Sequence, residues 1–131
     1  MFNNIKTSLE NKLIVSELSR KLSLGSENII ARLAFAISLS KGEKLNLTTI
    51  KDSKGKEYSK NVLFGANAYI YVALICQHYN LYKTDKDIPK YIKMHIDEGL
   101  TAINSEFKDN PNLTGPDFLI QKIEEGLSFI F

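Results

Sequence analysis

The stretch Ile29-Ile30-Ala31-Arg32-Leu33-Ala34-Phe35-Ala36-Ile37, residues 29–37, carries one charge in nine positions. Ser26 before it is a good cap and Gly42 after it a good stop, so the run reads as a helix. A helix that is apolar nearly all round must be covered nearly all round. The same argument applies to Ala68–Cys76, an unbroken apolar run inside the uncharged 17-residue stretch Ala66–Tyr82. That stretch also contains Asn67, Gln77, His78 and Asn80, and it falls short of the roughly 20 apolar residues of a membrane span. It is expected to be a buried helix, with no membrane partner. Two such helices are difficult to bury in a chain of 131 residues, which predicts self-association into a homo-oligomer.

N-terminal to this pair, Ile5-Lys6-Thr7 is a short extended lead. Thr7 and Glu10 have capping-box spacing and open a first helix, whose apolar positions are Leu9, Leu13, Ile14, Leu18 and Leu22. Between the two apolar helices, Lys44–Asn61 is polar, with Asp52-Ser53-Lys54-Gly55-Lys56 reading as a turn, and predicts a long, partly ordered connection. Gly65 precedes the third helix, Ala66–Tyr82. Asp87 is placed to cap a fourth, with Pro89 in its first turn and Tyr91, Ile92, Ile96, Leu100, Ile103 and Phe107 as its stripe. Asn110-Pro111-Asn112 breaks it. Thr114 then caps a last helix with Pro116 in its first turn and Phe118, Leu119, Ile123 and Leu127 on the buried side.

The expected fold class is therefore mainly α, with about five helices in one domain over residues 1–131 and no convincing sheet. Residues 4–42 form a ribbon-helix-helix-like segment, 43–62 a lysine-rich connection and 63–131 a three-helix part. The single cysteine, Cys76, forms no intrachain disulfide, and no segment has the pattern of a signal peptide. A reducing cytoplasm is the expected location.

Catalytic patterns are missing. In a helix Cys76 and His78 point about 200 degrees apart, so they do not share a metal ion, and His95 is remote in sequence. Asp85 and Asp87 are flanked by Lys83 and Lys86. No nucleophile elbow, phosphate loop or dinucleotide fingerprint occurs. Pro116-Asp117 is followed by Glu124-Glu125-Gly126, not by the acidic-x-Lys of a Pro-Asp nuclease. No metal, no cofactor and no enzymatic activity are expected of this chain.

Charge is unevenly divided. Residues 1–62 hold 11 Lys and Arg against 6 Asp and Glu, giving +5, whereas residues 63–131 hold 6 against 9, giving −3. Lys41, Lys44, Lys51, Lys54, Lys56 and Lys60 crowd the connection, and flexible ammonium groups suit sequence-blind phosphate neutralisation. Tyr58 is placed to add stacking. The alternative is an ordinary solvated loop. Lys83, Lys86, Lys90 and Lys93 are balanced locally by Asp85 and Asp87 and read as solvated surface.

The extended lead followed by two helices has the grammar of a ribbon-helix-helix unit, in which leads from two chains pair. With side chains alternating, Asn4 and Lys6 share one face and Ile5 and Thr7 the other, so Lys6 would meet DNA. The cap amides near Ser26 and Glu27 would meet a phosphate. Without a strand, the first two helices are simply an antiparallel hairpin.

Several strings also resemble a family, the DNA sulfur modification protein DndE of bacterial DNA phosphorothioation. They are Leu33-Ala34-Phe35 with Ser38-Leu39, Leu63-Phe64-Gly65, Ile70-Tyr71-Val72-Ala73-Leu74-Ile75-Cys76-Gln77-His78-Tyr79, Tyr82 through Pro89, and His95-Ile96-Asp97-Glu98-Gly99-Leu100. The resemblance implies a small helical homo-oligomer, a tetramer, that binds DNA through surface lysines and prefers nicked duplex. It also implies a complex whose other subunits supply sulfur from cysteine, ATP and an iron-sulfur centre, and replace a non-bridging phosphate oxygen by sulfur. The competing expectations are a ribbon-helix-helix transcriptional regulator and a structural adaptor that binds no DNA.

Overall fold

The computed structural model describes residues 2–128. In chain order its elements are β1 (Asn4–Lys6), α1 (Glu10–Leu22), α2 (Glu27–Ser40), β2 (Glu57–Ser59), α3 (Lys60–Phe64), α4 (Ala68–Tyr79), α5 (Ile88–Asp109) and α6 (Gly115–Ser128). Single 3-10 turns occupy Leu47–Thr49 and Gly65–Asn67. Among the described residues no single helix is long and apolar enough to cross a membrane.

The nearly charge-free α2 lies along α5, and this pairing organises the molecule. Ile30, Ala31, Ala34 and Phe35 of α2 share one core with Ile92, Ile96, Leu100 and Ile103 of α5. The Phe35 ring meets Phe64, Tyr71 and His95 edge-on at 5.6, 5.8 and 6.2 Å, a geometry that suits the aromatic quadrupole. Gly99 sits at the helix crossing, where α2 comes so close that a Cβ built there would lie 2.0 Å from the Ala34 carbonyl oxygen.

The expected absence of a sheet is overturned by a two-stranded antiparallel ribbon, with Ile5 paired to Tyr58 and Lys6 to Glu57. The lead is a strand, but its partner is the chain's own Glu57-Tyr58-Ser59 rather than the lead of a second copy. Alternation explains why: Ile5 and Tyr58 turn inward while their neighbours face out or lie at the margin. The ribbon continues past the strands through Lys60 N–H to Asn3 O at 2.8 Å, Thr7 N–H to Lys56 O at 2.9 Å and Gly55 N–H to Thr7 O at 2.9 Å. Nor is Lys44–Asn61 a loosely held connection. Its Tyr58 is core, and at Gly55 it presses so closely on Ser8 that a Cβ would meet the Ser8 carbonyl oxygen at 2.1 Å.

Thr7 does not cap the first helix, because its Oγ1 donates to Lys56 O at 2.9 Å. Two distant carboxylates take over the amides that open α1: Asp97 Oδ1 accepts from Ser8 N–H at 3.1 Å and Asp52 Oδ1 from Leu9 N–H at 3.0 Å. Along α1 the buried positions are Asn11, Val15, Leu18 and Leu22, while Leu9 and Leu13 are exposed, so the expected stripe is rotated. The third helix is shorter than expected and is preceded by α3, with Gly65 at φ 60° ending α3. Tyr69, Ile70 and Leu74 leave one side of α4 exposed. Thr114 does cap α6, its Oγ1 accepting from Asp117 N–H at 3.2 Å. On that helix Gly115 and Phe118 are buried; Ile123 and Leu127 face outward, contrary to the expected stripe.

Candidate nucleic-acid interface

The seven lysines singled out in the sequence are not gathered into one patch. Lys6 stands on the outer face of β1, across from Glu57. Lys41 follows α2 and pairs with Glu98 at 2.7 Å, Lys51 pairs with Glu10 at 2.9 Å, and Lys56 faces Glu27 at 3.6 Å. Lys44 and Lys54 are exposed, and Lys60 is the half-buried first residue of α3. Among the described residues, Lys6, Lys44, Lys54 and Lys60 have no carboxylate within ion-pair distance. The three pairs are partly solvated and worth at most about 1 kcal/mol each, so a phosphate competes easily for those ammonium groups.

The structure brings Lys6 next to lysines read as plain surface. A depression of about 330 Å³ is lined by Asn4, Lys6, Ser53, Glu57, Pro89 and Lys90, among others. A neighbouring one contains Phe2, Lys83, Lys86 and the same Pro89. The N-terminal strand therefore runs beside the start of α5, and the two lysine groups flank it. Sequence spacing gave no sign of this, since the residues lie some eighty positions apart. Tyr58, the expected stacking residue, is buried, and burial pushes its phenol well above the usual range. The aromatic ring available at this edge is Tyr82, 87% exposed and adjacent to Lys83. At the start of α2, Ser26 Oγ is engaged with Asn28 Oδ1, and the first turn carries Glu27, whose carboxylate faces Lys56. The expected phosphate contact there meets the chain's own acid.

Lys93 is not surface at all. Its ammonium donates to Asp97 Oδ2 at 2.7 Å and to the Asp52 carbonyl oxygen at 2.7 Å. Asp97 Oδ1 accepts from Asn11 Nδ2 at 2.8 Å as well as from Ser8 N–H. Asp52 in turn accepts from Leu9 and Lys54 N–H through its carboxylate, and these two bonds hold its carboxyl below the usual range. One buried ion pair thus ties together α5, the start of α1 and the turn that carries Lys51, Lys54 and Lys56.

A serine–histidine pair, Ser38 Oγ and His95 Nδ1 at 2.8 Å, resembles a nucleophile and its base. Both side chains are buried, so no substrate reaches them. Leu45 N–H donates to the Tyr79 hydroxyl at 2.9 Å, and that hydroxyl meets His95 Nε2 at 2.7 Å. These bonds make the imidazole a structural link between α2, α4 and α5. Burial, helped by the neighbouring His78 and opposed by Glu98, pushes its pKa down to about 4. Unfolded histidine titrates near 6.5. Between those values the unfolded chain binds a proton that the folded one refuses, so His95 makes stability fall as pH drops from about 6.5 to about 4, with no contribution above. A His95→Gln variant is expected to be less stable at pH 7 but to have a shallower acid slope in that window. Denaturant midpoints across the range measure it. Among the described residues no three His, Cys, Asp or Glu side chains group to hold a metal ion.

A family model described as DNA sulphur modification protein DndE matches residues 4–110. The crystal structure of DndE from Escherichia coli B7A, involved in DNA phosphorothioation modification, superposes with a TM-score of 0.64. It is 19% identical, with 79% of this chain and 98% of that one covered. A DndE mutant involved in DNA phosphorothioation gives a TM-score of 0.65 at 22% identity over the same shares. At these identities the likeness concerns the fold. No curated protein matches.

Proposed function

The chain belongs to the DndE family of DNA sulphur modification proteins, and from that premise we propose that it is the non-catalytic subunit that holds duplex or nicked DNA for the phosphorothioation machinery. The observation that carries this reading is the set of lysines that have no acidic partner among the described residues, Lys6, Lys44, Lys54 and Lys60, the first of them joined by Lys83, Lys86 and Lys90 beside the N-terminal strand. Lys51 and Lys56, on either side of the turn at Asp52, and Lys41 after α2 are paired but exposed and add to the field. Ammonium groups spread over a surface read backbone charge and not base sequence. The chain contributes no catalytic group in this reading; sulfur transfer belongs to other subunits. A ribbon-helix-helix regulator gains no support, since the lead is already paired within the chain.

The test is binding to random-sequence intact duplex, nicked duplex and an operator-like palindrome at one salt concentration. Comparable affinity for every sequence, with nicked duplex at least as tight, supports a holder. Preference for one sequence by a thousandfold or more, the scale of specific binding, supports a regulator, and no binding to any supports an adaptor.

Self-association is part of the proposal. Val62, Tyr69, Ile70 and Leu74 are exposed along α3 and one side of α4, an apolar strip of the kind a second copy covers. Ala73 lies exposed within it, so Ala73→Asp is expected to convert an oligomer, a tetramer in this reading, to smaller species without loss of helix. Light scattering that gives a monomer for the unaltered chain at micromolar concentration contradicts it.

A further inference from the structure

The family match ends at residue 110, and the solved relatives are covered almost end to end while about a fifth of this chain is left over. Helix α6 lies beyond the family match. One side of it is built into the fold. Gly115 sits so close to α1 that a Cβ would lie 2.4 Å from the Lys21 carbonyl oxygen, Phe118 is buried with its ring 5.2 Å from Phe107, and Lys122 pairs with Glu106 at 2.7 Å. The other side is unpartnered: Ile120, Ile123 and Leu127 are 53%, 62% and 45% exposed. Spacings of three and four put them on one stripe.

The charge bordering that stripe is acidic. Asp117 and Glu124 share its side of the helix, whereas Glu125, seven residues after the buried Phe118, lies on the packed side with Lys122, and Asp109 faces Asp117 and Ile120 across a groove of about 540 Å³. The helix's single cation, Lys122, is already held by Glu106 and Glu125. We propose that this acidic, apolar surface docks a segment of another protein that presents apolar anchors flanked by lysine or arginine. Charge complementarity selects that occupant. DNA and anionic lipid are repelled, and a symmetric contact with the same helix of a second copy opposes Asp117 and Glu124 to themselves. The inference rests on membership in a multi-subunit modification system and is independent of the lysine face.

The test uses the full chain and the other purified protein subunits of the phosphorothioation machinery as probes, titrated one at a time at low and high salt. One subunit is expected to bind, more weakly at high salt. Both Ile120→Asp/Ile123→Asp and Glu124→Lys are expected to weaken that binding at least tenfold, with helical content, oligomer mass and duplex affinity unchanged. The charge-reversed variant guards against loss of fold in the apolar one, because Glu124 is exposed and makes no ion pair among the described residues. Binding of no subunit, or equal binding by the variants, overturns the inference. A fall in oligomer mass also overturns it, by making a second copy the occupant. Loss of duplex affinity alone bears on the DNA-holding reading and not on this one.

Discussion

Replacing Gly99 by alanine is expected to destabilise the protein by about 3 kcal/mol or more, although alanine is the better helix former. The two effects have opposite signs and unequal size. In the middle of α5 the change raises helix propensity by about 1 kcal/mol. Against that, the new Cβ would stand 2.0 Å from the Ala34 oxygen and 2.5 Å from its carbonyl carbon, both backbone atoms of α2. Neither has a rotamer to escape into, so the two helices that organise the core must separate by more than an ångström and give up packing along their length. A lowered urea midpoint is the expected result. A raised one would mean that the helices do not cross this closely.

Asp97→Ala is expected to cost about 3–5 kcal/mol, the range for leaving a buried charge without its partner. The ion pair with Lys93 is almost wholly buried, and Asp97 also accepts from Ser8 and Asn11. Removing it strands the Lys93 ammonium and frees the opening of α1 together with the turn that Lys93 holds through the Asp52 carbonyl. Replacing both members by apolar residues, Lys93→Met with Asp97→Leu, is expected to recover a large part of the loss, because no unpaired charge remains. Denaturant unfolding of the unaltered chain and the two variants checks both statements. Equal loss in the single and double variants would locate the cost in the Ser8 and Asn11 bonds instead.

The helices were legible where one physical signal dominated. The low-charge runs at 29–37 and 68–76 announced α2 and α4, and Asn110-Pro111 announced the end of α5. What stayed hidden depended on partners far along the chain. Thr7 and Glu10 have the spacing of a capping box, yet the Lys56 carbonyl claims the Thr7 hydroxyl, and Asp97 and Asp52 serve the helix amides instead. The triplet Glu57-Tyr58-Ser59 is too short to declare itself a strand, and becomes one because Ile5 offers an edge with matching alternation. Lys93 looked like one more lysine of a solvated group until Asp97, one helical turn on, was seen to be buried with it. The candidate lysines were found by type, but their proximity was not: only the folded ribbon puts Lys6 beside Lys90.

The decisive measurement for DNA holding is the salt dependence of duplex binding by the unaltered chain and by the variant Lys6→Gln, Lys44→Gln, Lys54→Gln, Lys60→Gln. Among the described residues these four lysines make no ion pair, so the fold is expected to persist. Lys108→Gln, exposed at the end of α5, is the control; Lys122 is unsuitable because it supports Glu106. Each neutralised phosphate contributes roughly −0.9 to the slope of log affinity against log salt, so four lost contacts flatten it by about 3.6. Weaker binding to every sequence with a slope flattened by two or more, and an unchanged control, is the expected result. Unaltered affinity and slope in the fourfold variant, with helical content intact, would contradict it.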